Sequence, residues 1–195
     1  MNDEQQYQIV ISGVGGQGVL FVTRLLAEAA IGKGLPVFTS ETHGMAQRGG
    51  TVISHLKVGR FTSPLIMPGA ADGLIALKAE GIAMHGGYLK SGAWAAVNSP
   101  VAPDVRNAIR IRCCDADRLA KESDNPRALN LIMLGFALAG RQPQDTASPL
   151  YFCTVEDVVR VLESRLKEKK DLLGRSINAL SIGAGAGEKK SGMPG

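Results

Sequence analysis

The chain has 195 residues, 45% apolar and 21% charged, which suits one packed domain and excludes global disorder. Its net charge of +4 lies partly in one late helix (Arg165, Lys167, Lys169, Lys170) and in Lys189 and Lys190; with 5% aromatics there is no stacking platform, so nucleic acid is set aside. Three cysteines, Cys113, Cys114 and Cys153, form no CxxC, so this chain alone supplies neither a disulfide scaffold nor the four thiolates of an iron–sulfur or zinc site, and a reducing, cytoplasmic setting is expected.

The opening MNDEQQYQ is polar and acidic, unlike a leader peptide, and the longest apolar run, Leu131–Ala139, is about half a bilayer crossing. Tyr7–Ser12 is an apolar, β-branched run that predicts a buried parallel strand. Gly13-Val14-Gly15-Gly16-Gln17-Gly18 follows as a turn, and Val19, Val22, Leu26 and Ala29 recur at helical spacing up to Gly32. Pro36–Thr39 begins a second strand, giving a β-turn-α-β unit. Glu41–Gly50 predicts a loop and Thr51–Val58 a half-buried strand, with His55 and Lys57 on its polar face. Ser63–Gly69 is irregular, Gly73–Leu77 a strand, Glu80–Tyr88 a helix spoiled by glycines, and Ala93–Asn98 another strand. Ala108–Cys113 and Asp115–Lys121 predict a strand and a short helix, and Pro126 opens an apolar helix ending near Gly140. After a link at Gln142–Pro149, Thr154 and Asp157 form a capping-box pattern ahead of an amphipathic helix, and Leu173, Ile177 and Leu180 mark a further short one. The glycine-rich stretch 183–195 is expected to be a mobile tail beyond a single domain of residues 1–182, whose part 151–182 is a helical C-terminal piece. The predicted class is α/β: a three-layer Rossmann-like sandwich around a mostly parallel, mixed sheet.

Two segments carry chemistry. Gly13-x-Gly15-x-x-Gly18 sits between a strand and a helix, where glycines permit a tight turn and helix N–H groups attract phosphate or carboxylate. Gly13, Gly15, Gly16, Gln17 and Gly18 are therefore candidate cofactor-binding residues, and Glu41 lies near the position of a ribose-binding acid. The alternative use of these glycines is tight packing of helix on sheet. Glu41, His43, Gln47 and Arg48 cluster between strands. Histidine titrates near neutral pH and the guanidinium fork binds carboxylate or phosphate, so His43, Arg48 and Glu41 are catalytic candidates, and Gln47 with Arg48 binding candidates. The alternative is an ordered structural loop. His55 is expected at the surface or an interface, His85 in solvent, and the three histidines show no metal-ligand spacing. Asn130, a polar residue inside an apolar helix, is expected to touch the glycine loop or another subunit.

IVISGVGGQGVL, SETHGMAQRGGTVISHLKVG and SPLIMPGAADGLIAL, in that order, resemble the gamma-type subunit family of 2-oxoacid:ferredoxin oxidoreductases. The form ETHGMAQRGG is most similar to the small (beta) subunit of the indolepyruvate branch. The likeness continues through Tyr88-Leu89-Lys90, Asn98, Asn130 and Asn178-Ala179-Leu180 with Gly183. It departs at Lys78, where the family often has Glu, and at Gly81, Gly86 and Gly87. The resemblance implies an accessory subunit of an enzyme in which thiamine diphosphate attacks a 2-oxo acid, carbon dioxide leaves, [4Fe–4S] clusters pass electrons to ferredoxin, and coenzyme A takes the acyl group. Thiamine diphosphate and clusters would belong to a larger partner subunit, leaving this chain inactive alone. Gly13–Gly18 and Glu41–Gly50 would lie together at the sheet's C-terminal edge, facing that partner. Alone, the chain is expected to self-associate through Leu65-Ile66-Met67. The same subunit of a pyruvate or 2-oxoglutarate enzyme, a free-standing dinucleotide-binding Rossmann protein and a purely structural subunit remain alternatives.

Overall fold

The computed structural model describes residues 6–41, 50–103, 109–139 and 152–191. The order is β1 (Tyr7–Val14), α1 (Val19–Gly32), β2 (Val37–Glu41), β3 (Thr51–Val58), β4 (Ala71–Ala76), α2 (Glu80–His85) and β5 (Leu89–Asn98). Then come β6 (Arg110–Cys114), α3 (Ala116–Glu122), α4 (Leu129–Leu138), α5 (Val155–Arg165) and α6 (Lys170–Ser191). The six strands form one sheet in the order β2-β3-β1-β4-β5-β6. β3 runs antiparallel to both neighbours, and β1, β4, β5 and β6 pair in parallel. The mixed α/β architecture is thus the predicted one. The hairpin placing β3 between β1 and β2 was not visible in the β-turn-α-β pattern.

Strand alternation divides the core. Ile9, Ile11, Leu56 and Ile75 face a thick layer built by α1, α4, α5, α6 and residues of α3, while Val10, Ile53 and Leu74 face a thin layer of α2 and the segment around Ile66. In α4, Ile132, Met133, Leu134 and Phe136 are all fully buried. A helix buried on every side carries no amphipathic stripe, which is why its sequence is apolar throughout.

Two differences from expectation have physical causes. His55 and Lys57 are buried rather than on a wet face, because the thin layer covers them. The Ile66 N–H donates to His55 Nδ1 at 3.0 Å, and the Lys57 ammonium lies 4.8 Å from the centre of the Phe61 ring. The sequence also ends the domain at residue 182, whereas α6 runs unbroken to Ser191. Its small residues form a packing surface: an added Cβ at Gly183 would overlap the Ile132 carbonyl, and one at Gly135 the Leu180 carbonyl. Arg112 fastens this end, stacking 4.5 Å from the Phe136 ring centre and donating to the carbonyls of Phe136 and Gly187 at 3.3 and 2.9 Å. Residues 192–195 and the link at Gln142–Pro149 lie outside the described residues.

The capping box is present: the Asp157 N–H donates to Thr154 Oγ1 at 3.3 Å, and the Thr154 N–H donates to Asp157 Oδ2 at 2.8 Å. Among the described residues, no helix is long and apolar enough to cross a membrane.

Candidate functional site

The candidate site is built where β1 and β4 end and β3 begins. Beyond β1 the chain turns through Gly16 (φ +87°) and Gly18 (φ +84°), both left-handed and thus suited to glycine. Gly13 serves a different need. A Cβ there would come within 2.9 Å of Gln17 Oε1 and of Val19 Cγ2. Gln17 folds back to close the loop, accepting the Val14 N–H at 2.9 Å and donating to the Leu77 carbonyl at 3.4 Å. That carbonyl also accepts Asn98 Nδ2 at 3.1 Å, while Asn98 Oδ1 accepts the Ala116 N–H at 3.0 Å. Two side-chain amides therefore tie the C-terminal ends of β4 and β5 to the glycine loop. Asn130 supplies a third contact: an added Cβ at Gly18 would overlap its amide nitrogen. The polar residue in the apolar helix meets the glycine loop, one of its two expected contacts.

The second segment flanks the first. Val14 pairs with Thr51, Glu41 with Ser54, and the Gly15 N–H donates to the Gly50 carbonyl at 3.2 Å. Both ends of the stretch from Glu41 to Gly50 therefore stand at the C-terminal end of the parallel strands, and its Gly50 end bonds directly to the glycine loop. His43, Gln47 and Arg48 lie outside the described residues; Glu41, described, closes β2.

A polar pair beneath this edge was not predicted. Ser12, fully buried, shares a hydrogen bond of 2.8 Å with Nδ1 of His85. His85 is thus tied to β1, not loose in solvent as the sequence suggests. Gly81 permits the approach, since a Cβ there would stand 3.0 Å from Ala76 Cβ and 3.2 Å from Ser12 Oγ. What looked like a helix-spoiling glycine lets α2 lie flat on the sheet. His55 meets Tyr88 edge-on at 5.2 Å. Burial lowers the pKa of both imidazoles, and Lys57 and His85 lower that of His55 further. Free histidine titrates near pH ~6.5, so below that the unfolded chain takes up protons that the folded chain resists. Stability is expected to fall as pH drops through ~6.5, seen as a lower urea midpoint at pH ~5.5 than at pH ~7.5 and as a smaller difference in the double variant His55→Gln, His85→Gln.

Residues 8–186 match the family model described as pyruvate ferredoxin/flavodoxin oxidoreductase. The chain belongs to that family. A stretch of 70 residues is 54% identical to indolepyruvate oxidoreductase subunit IorB of Archaeoglobus fulgidus, covering 36% of this chain and 35% of that one. Over 179 residues it is 30% identical to the subunit of the same name from Thermococcus kodakarensis, covering 80% of this chain and 86% of that one. It is also 32% identical over 139 residues to ketoisovalerate oxidoreductase subunit VorA of Methanothermobacter thermautotrophicus, covering 69% of this chain but 28% of the relative. Among solved structures, a keto/oxoacid ferredoxin oxidoreductase gamma subunit from Geobacter sulfurreducens shares the fold with a TM-score of 0.71 at 23% identity, covering 93% of this chain and 98% of that one. The 2-oxoglutarate:ferredoxin oxidoreductase of Magnetococcus marinus, solved with 2-oxoglutarate, coenzyme A and succinyl-CoA, does so with a TM-score of 0.77 at 19% identity. This chain covers 32% of that one, and 95% of itself is covered.

With the family established, the reading as a free-standing dinucleotide-binding protein is not favoured, and the geometry agrees. The N–H groups of Val14, Gly15 and Gln17 donate within the chain. With β3 interposed, Glu41 lies two strand spacings from β1, about 10 Å, where a dinucleotide fold has its acid one spacing away. Among the described residues no three His, Cys, Asp or Glu gather to hold a metal ion. All three cysteines are buried, and burial pushes the Cys153 thiol up to about 12, with Asp157 adding to the rise and Lys33 opposing it. These residues do not fit an iron–sulfur cluster.

Proposed function

We propose that this chain is the accessory, gamma-type subunit of a thiamine-diphosphate-dependent 2-oxoacid:ferredoxin oxidoreductase whose substrate is indolepyruvate or another arylpyruvate. The likeness that carries this reading is the near full-length match to the indolepyruvate oxidoreductase subunit of Thermococcus kodakarensis. The complex would convert a 2-oxo acid, coenzyme A and two oxidised ferredoxins into acyl-CoA, carbon dioxide, a proton and two reduced ferredoxins. Thiamine diphosphate and the clusters are assigned to a large partner subunit; this chain lacks the residues for clusters, is inactive alone, and works in the cytoplasm.

The role assigned to this chain is to close the partner's active site with the two neighbouring loops. Gly13–Gly18 forms a stiff platform, because Gln17 ties it to the Leu77 carbonyl, which Asn98 in turn holds to the end of β5. Beside it, between Glu41 at the end of β2 and Gly50 ahead of β3, runs the sequence that carries the candidates His43, Gln47 and Arg48. A guanidinium there suits the carboxylate of a 2-oxo acid or a phosphate of coenzyme A, since its planar fork matches either anion. Leu65 and Met67 are exposed while Ile66 is buried, and Met84 of α2 is also exposed. The thin layer is accordingly the apolar surface assigned to subunit contacts, including self-association of the isolated chain.

In the assembled complex, Arg48→Ala is expected to lower kcat/KM for indolepyruvate by about tenfold or more, the effect of losing one charge-assisted contact. Size-exclusion chromatography should show the complex intact. Full turnover with unchanged KM would leave a structural subunit instead. Comparing kcat/KM for indolepyruvate, pyruvate and 2-oxoisovalerate in the same complex identifies the substrate branch.

A further inference from the structure

Behind the glycine loop, residues of α1, α4 and α6, with the turn ahead of α4 and Leu166 just after α5, line a solvent-open hollow of about 500 Å³, within the range that holds small organic ligands. Phe21, Leu131, Leu166 and Leu172 form its apolar wall, and Arg127 and Arg175 are its charged residues. No carboxylate lines it. Other cations of the surface are paired: Lys33 and Arg160 with Asp157, Arg118 with Glu122, and Arg165 with Glu28. Arg127 and Arg175 form no ion pair among the described residues. Two uncompensated guanidinium groups therefore border one apolar hollow. The first turn of α4 also borders it at Asn130, and the positive end of the helix dipole adds to the same field.

We propose that this cavity is a binding site for a small amphipathic anion, a monocarboxylate carrying an apolar body of at least one aromatic ring. The apolar wall removes the body from water, while Arg127 and Arg175 take the carboxylate through their planar forks. An uncharged molecule of the same shape leaves the cations without a counter-charge, and a short carboxylate leaves the wall wet. Binding is felt at the glycine loop, because Asn130 belongs both to the cavity lining and to the contact against Gly18. The site is independent of the oxidoreductase assignment, since it needs neither a partner subunit nor turnover.

The test is an amide NMR titration of the full chain with three probes: 3-phenylpropanoate, 3-phenylpropan-1-ol and propanoate. The first is expected to shift the amides of Phe21, Asn130 and Gly18, with the alcohol and propanoate binding about tenfold more weakly or worse. Arg127→Ala and Arg175→Ala, both at exposed positions, should each weaken 3-phenylpropanoate about tenfold while the amide spectrum stays that of a folded chain. Absence of shifts at millimolar probe, equal binding of the alcohol, or unchanged affinity in both variants would overturn the proposal.

Discussion

Gly183→Ala is expected to destabilise the domain by about 2–4 kcal/mol, more than most single-methyl changes, because the added carbon has nowhere to go. At this position α6 crosses α4 with backbone against backbone: the new Cβ overlaps the carbonyl of Ile132 and approaches that residue's Cα at 2.9 Å. A flexible side chain could rotate aside, but a carbonyl inside a buried helix cannot move without taking the helix with it. Separating the helices loosens Phe136, Ile132 and Leu180, all fully buried. Gly135→Ala meets the mirror-image obstacle at Leu180 and should cost about as much. The two variants combined should lose less than their sum, since the first separation relieves the second clash. Gly174 is the control. It lies in the same helix with nothing within 4 Å of its absent Cβ, so Gly174→Ala should gain about 0.5–1 kcal/mol from helix propensity and a less disordered unfolded state. Urea unfolding of the variants measures all these differences.

Asp157→Ala should cost about 2 kcal/mol, read from the same urea curves. The carboxylate is buried and does several things at once. It completes the capping box of α5 and meets the Lys33 ammonium of α1 and the Arg160 guanidinium of its own helix. Arg160 is 69% exposed, so that pair contributes little in water. The larger losses are the cap and the link from α5 to α1. Asp157→Asn keeps a carbonyl acceptor for the cap and should lose about half as much. Burial pulls the Asp157 pKa upward, but Lys33 and the Thr154 hydrogen bonds outweigh it and hold it below the usual carboxylate value. Its stabilisation is therefore present above pH ~4 and fades as the pH falls further. In Asp157→Ala this acid-side loss should disappear, while the loss through pH ~6.5 assigned to the two histidines should remain.

Local periodicity made much of this legible. The β1 run, the α1 stripe and the Thr154–Asp157 box each declare themselves within a dozen residues, because the forces that make them act over one strand or one helical turn. Asn130 was also readable, since an amide amid Leu129, Leu131 and Ile132 needs a partner. The rest depends on contacts far apart in the chain. Nothing in TVISHLKV says that a thin layer covers its polar face, so His55 and Lys57 looked wet. The glycines of α6 looked like a tail because composition cannot tell a surface with nothing beside it from one pressed against another backbone. The Ser12–His85 bond joins residues 73 apart in sequence, with no local trace. Of the candidate site, the residue types and their order were readable. The bond from Gly15 to Gly50 required β3 to turn back against β1.

That hairpin has a consequence for how such subunits diversify. The ladders at Glu41–Ser54 and Val14–Thr51 fix where the segment between them leaves the sheet and where it returns. Its interior can then be lengthened, shortened or replaced with little effect on the scaffold, since doubling a loop's length adds only about 0.6 kcal/mol of closure entropy. The segment behaves as an exchangeable cassette with standard fittings. A related enzyme's sequence inserted between Glu41 and Gly50 would leave and rejoin the sheet at the same two ladders, leaving evolution, or an engineer, free to vary the chemistry without rebuilding the domain.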